Sequence, residues 1–128
     1  LPAQLTASTN ADDGLVIEIQ DANAVAGSGL YSADTGTTLA STPSSAILAG
    51  TEGYGVYGKN AGSITLAEAF DNDSTGDAAI STTFQQFAST TAPVSGATVD
   101  VALNSAVSAI TPAGDYADIL TFLATGKF

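Results

Sequence analysis

Apolar side chains recur along this chain at every second residue, and no long stretch follows the helical interval. Leu15, Ile17 and Ile19 alternate with Val16, Glu18 and Gln20, and Val99, Val101 and Leu103 alternate with Asp100, Ala102 and Asn104. A weaker run sets Ala3, Leu5 and Ala7 against Gln4, Thr6 and Ser8. Alternation of this kind predicts half-buried strands. Shorter strands are expected at residues 30–31, 46–48, 54–57 and 64–66, separated by Gly, Pro, Asn, Asp and Ser clusters. The turn formers at residues 10–14, ending in Gly14, predict a β-hairpin between the runs at 3–7 and 15–19. Only Ile80, Phe84 and Phe87 follow helical spacing, which predicts one or two helical turns over 81–88. Residues 67–70 either continue the strand before them or open a helical turn. The fold class that results is all-β: one antiparallel β-sandwich over residues 1–128, of jelly-roll type among the alternatives, with about eight strands.

Composition narrows the functions. Bulky Val, Ile, Leu and Phe number 29 of 128 residues, enough for a small core and just above the level of a disordered acidic polymer. No apolar run approaches the roughly 18 residues that suggest a membrane span. Without Cys or His there is no thiolate nucleophile, imidazole base, disulfide or His- or Cys-ligated metal. Lys59 and Lys127 are the whole basic inventory against 13 carboxylates, a net charge of −11. Nucleic acid and anionic membrane surfaces are therefore poor partners, and a cation or a second copy of the chain is a better one. Ser and Thr total 30 and Gly 13, a composition associated with secreted β-rich surface proteins. The residues Leu1-Pro2-Ala3 do not look like a signal peptide, so a processed, extracellular form is expected.

Asp71-Asn72-Asp73-Ser74-Thr75-Gly76-Asp77 is the strongest local candidate for chemistry. Oxygens of Asp71, Asp73, Thr75 and Asp77 at positions 1, 3, 5 and 7, with Gly at 6, reproduce the first half of a calcium loop. The bidentate Glu expected at position 12 is replaced by Thr82. Calcium would then bind weakly, on the order of 10⁻⁴ to 10⁻³ M, and no cofactor is required; a solvated acidic loop is the preferred reading of the same residues. Asn72 heads a glycosylation sequon. Asp12 and Asp13, and Asp115 and Asp118, are read as turn formers. Gly53-x-Gly55-x-x-Gly58 has dinucleotide-fingerprint spacing, but no helix follows it, and glycines within a strand more often mark a bulge or a close backbone approach.

The last strand is apolar on both faces: Tyr116, Leu120, Phe122 and Ala124 on one, Ile119 and Leu123 on the other. Such a strand has to be covered twice, so it lies centrally or touches another subunit. Its approach, Thr111-Pro112-Ala113-Gly114-Asp115-Tyr116-Ala117-Asp118, resembles a recurring ending of secreted β-sandwich proteins, including pilin-like subunits of the spore-coat-U type and TasA-type filament subunits. The segments at 8–15 and 52–55 are similar to a hairpin and a Gly-Tyr-Gly strand of the latter group, and the lack of cysteine sets the chain apart from chaperone-assembled pilins.

The resemblance implies a non-catalytic filament or pilus subunit that assembles with copies of itself by β-strand addition. The segment 1–10, with Leu1, Ala3, Leu5 and Ala7 on one face, is then a donor or edge strand, and Ile119, Leu120, Phe122 and Leu123 form the other assembly surface. Pairing of 1–10 within its own hairpin is an equal alternative. Two other functions compete: a surface adhesin or carbohydrate-binding module, and an acidic hydrolase, which needs two carboxyl groups about 5–9 Å apart in a cleft. The enzyme is the least favoured.

Overall fold

A computed structural model describes residues 3–23, 27–59, 61–71 and 79–128 of the chain. Nine strands occur among them: β1 (Ala3–Thr9), β2 (Leu15–Asp21), β3 (Gly29–Ser32), β4 (Thr37–Ala40), β5 (Gly53–Lys59), β6 (Thr65–Leu66), β7 (Gln85–Ser89), β8 (Val94–Ala106) and β9 (Leu120–Gly126). Two 3-10 turns, Ser44–Ala46 and Glu68–Phe70, make up the helical content of the described residues. One sheet has the order β1-β8-β5, a second the order β6-β7-β2-β9, and β3 and β4 form a separate hairpin. Each strand pair is antiparallel. The architecture is all-β and sandwich-like.

Period two decides which side chains are inside. Leu15, Ile17 and Ile19 of β2 and Ala97, Val99 and Val101 of β8 are buried. They meet Tyr54 and Val56 of β5 and Phe87 of β7 in one core cluster. At its centre the Phe87 ring lies 5.5 Å from Phe70 and 5.7 Å from Phe122, the latter edge-on at 77°. Such tilted pairs set the positive edge of one ring against the negative face of another.

The expected hairpin between β1 and β2 does not form. Both strands exist, but β1 pairs with β8 and β2 with β7 and β9, so residues 10–14 are an arch between the two sheets. The arch is tied to the end of β7 through the next residue, Thr90: Leu15 N–H donates to Thr90 Oγ1 at 3.1 Å, and Thr90 N–H to the Leu15 carbonyl at 2.9 Å. Lys127 N–H reaches the Gly14 carbonyl at 2.8 Å. Gly14 sits at φ +80° with Thr90 where a Cβ would be. Gly14→Ala is expected to cost about 1–3 kcal/mol from the backbone alone, with the collision against Thr90 in addition, read as a lower urea midpoint.

Two further expectations are corrected. Residues 85–89 are strand β7, with Ile80 and Phe87 buried but Phe84 42% exposed. The helical turn is pre-empted by local bonds: Gln85 Oε1 accepts from Ser81 N–H at 2.8 Å and Ser81 Oγ from Thr83 N–H at 3.1 Å, while β-branched Thr82 and Thr83 resist helix. At 46–48 no strand forms, because Pro43 leads into the 3-10 turn Ser44–Ala46. That turn lies so close to β5 that a Cβ on Gly55 would come within 2.7 Å of Ser44 Oγ and 2.9 Å of Ile47 Cδ1. The glycines of β5 thus serve close approach, as a strand position requires.

Candidate assembly edges and a carboxyl cluster

A sandwich of two open sheets has four edges, and they differ sharply here. The outer side of β5 is partly covered by bridges from Ser41 to Tyr54 and from Asp71 to Gly58, and β6 is only two residues long. Short and covered edges resist pairing with other chains. β1 and β9 are seven residues each, and among the described residues neither carries a strand on its outer side. Leu66 of β6 packs where a Cβ of Gly58 in β5 would lie, so the β5 and β6 edges meet at that end of β5.

Neither β1 nor β9 contains a charge or a proline, in a chain with 13 carboxylates. Charged side chains and proline are the usual devices that keep an edge from pairing, and only a bulge between Ala7 and Thr9 interrupts β1. Leu5 and Ala7 turn inward and pack on the core, whereas Ala3, Gln4, Thr6 and Ser8 are exposed. In β9, Leu120 and Phe122 pack on the core while Leu123 is 43% exposed, and Ile119 before it is 63% exposed. The last strand is therefore not central. It is an edge whose outer apolar face is uncovered among the described residues.

At the root of β9 a polar cluster ties the sheets together. Tyr54 is 1% exposed, and its hydroxyl donates to Asp118 Oδ2 at 2.9 Å. Asp118 Oδ1 accepts from Ile119 N–H at 2.7 Å. Asp21, also 1% exposed, accepts from Asn23 N–H at 2.8 Å and Gly29 N–H at 2.6 Å, and lies within hydrogen-bonding reach of Asp118. Burial, together with the Asp21 charge, pushes the Asp118 carboxyl up to about 6 against the lowering effect of the Tyr54 hydrogen bond. Burial first, then the Asp118 charge, holds the Tyr54 phenol well above its ordinary range. Beside the pair opens a cavity of about 390 Å³ lined by Tyr31, Asp34, Asp115, Asp118 and Ile119 among others.

Of the acidic-loop candidates, Asp71 bridges to Gly58, while Asn72, Asp73, Thr75 and Asp77 lie outside the described residues, as do Leu1 and Pro2. No group of three or more metal-capable side chains occurs among the described residues. Local sequence patterns assign Asp118 to a turn and pass over Asp21 and Tyr54. One signal is present: Asp21 continues the inward column of Leu15, Ile17 and Ile19, where a carboxylate must find partners. Comparison with family models, characterised proteins and solved structures finds no match for this chain.

Proposed function

We propose that the chain is a non-catalytic structural subunit of an extracellular filament, joined to copies of itself by β-strand addition. The observation that carries this reading is the pair of seven-residue edge strands, β1 and β9, which hold no charge of their own and, among the described residues, no strand on their outer side, in a strongly acidic molecule. Main-chain N–H and C=O groups along such an edge bind another strand, and the exposed Ile119 and Leu123 supply apolar surface beside it. Strands with no charge of their own are also where copies carrying −11 each can pair with less repulsion. The serine- and threonine-rich, cysteine-free composition and the resemblance to filament subunits support the extracellular setting.

A surface adhesin or carbohydrate-binding module is the second reading, favoured by the cavity beside Tyr31, Asp34 and Asp115. Sedimentation velocity with negative-stain microscopy of the purified chain separates the two. The filament reading expects ordered polymers from the protein alone at physiological salt. A monomer at every concentration, binding a glycan array, would replace it with the second.

A further inference from the structure

A chain without histidine or cysteine has no side chain whose ordinary titration falls between about pH 5 and 8. Any charge change in that window has to come from a group the fold displaces. Asp118 occupies such a place. It stands two residues before β9, accepts from the Tyr54 hydroxyl of β5 and from its neighbour Ile119 N–H, and has Asp21, at the end of β2, within reach. Tyr31 of β3, Asp34 of the following turn and Asp115 of its own loop face the same cavity, and no basic side chain lines it. Asp21 cannot swing away, because both its oxygens hold main-chain N–H groups.

The same few residues fix where β9 begins. Ala22 N–H donates to the Ile119 carbonyl at 2.7 Å, and Tyr31 and Ala117 exchange two main-chain hydrogen bonds at 2.9 Å each. Tyr54 belongs to one sheet, while Asp21 and the strand entered after Asp118 belong to the other. The cluster is therefore a tie between sheets at the root of an edge strand.

We infer that Asp118, held by the Tyr54 hydroxyl and standing beside Asp21, is a proton-operated latch that holds the entry of β9 and thereby favours addition of a second copy at mildly acidic pH. The second half rests on the filament reading. With one proton taken from solvent, Asp118 donates to the Asp21 carboxylate, and the pair carries one negative charge. Without it, two neighbouring carboxylates repel, and the Tyr54 hydroxyl serves only Asp118. Because the folded carboxyl of Asp118 stands near 6, above its ordinary value of 3.8, its contribution is complete below about pH 4 and is lost as pH rises through about 6. An ordered edge binds a strand with less entropic cost than a loose one.

The test is a carboxyl-carbon NMR titration of Asp118, with melting curves, amide protection and pelleting assays of the native chain and Asp118→Asn at about pH 5 and about pH 7.5. In the native chain Asp118 should titrate near pH 6. Its melting temperature should be higher at the lower pH, by no more than about 4 °C because Asp118 is partly screened by solvent. Protection at Ala22 and Ala117, and the pelleted fraction, should fall on going to the higher pH. Asp118→Asn keeps an acceptor for Tyr54 and should lose all of these dependences. Titration of Asp118 near its ordinary value, or an equal pH response in Asp118→Asn, would overturn the latch, and the titration decides it even if the variant fails to fold. A latch that titrates as stated in a chain that never pellets would overturn the filament reading and leave the latch standing.

Discussion

Phe87→Ala should lower the unfolding free energy by about 3–5 kcal/mol, a large share of the roughly 5–15 kcal/mol that a domain possesses. The Phe87 ring is fully buried between Phe70 and Phe122 and joins β7 to β9 through the core. Its removal opens a cavity walled by two other rings that the surrounding strands cannot close without leaving their register. Phe84, three residues earlier, is 42% exposed, and Phe84→Ala should cost less than about 1 kcal/mol. Urea melts of both variants check the contrast; equal losses would mean that the helical spacing of these two residues, and not the strand, describes this segment.

The second large effect concerns assembly. Thr6→Lys in β1 and Leu123→Lys in β9 should each raise the concentration needed for polymer by about tenfold or more, and together abolish it. Both positions are exposed, so the folded monomer should lose no more than about 0.5 kcal/mol for Thr6→Lys and little more for Leu123→Lys. Each lysine also reduces the net negative charge, which by itself promotes association. Loss of polymer despite that change would point to the edges. Polymer formed undiminished by the double variant would move the interface elsewhere on the surface.

Much of the fold was legible because period two is a strong signal where strands are flanked by turn residues. β2 and β8 follow from their own side chains, and the edge residues Leu5, Ala7, Leu120 and Phe122 fall inward where alternation places them. Pairing was harder to read. Leu5 and Ala7 fit the inner face whether β1 joins β2 or β8, and the choice depends on Thr90, which lies 76 residues beyond Gly14 in sequence and shapes the arch. The carboxyl pair was hidden for a similar reason. Asp21, Tyr54 and Asp118 come from three distant segments, and Asp118 sits among Pro, Gly and Asp residues whose local chemistry already accounts for a turn. Local spacing reports local bonds; a contact made by the closing of two sheets leaves only the trace of a polar residue on an apolar column.

Hydrogen exchange of the polymer against the monomer tests the assembly account most directly. The account predicts newly protected amides confined to Ala3–Thr9 and Leu120–Gly126, on the sides of β1 and β9 that face away from β8 and β2. A polymer in which those amides exchange as fast as in the monomer, with protection gained on other strands, would contradict it.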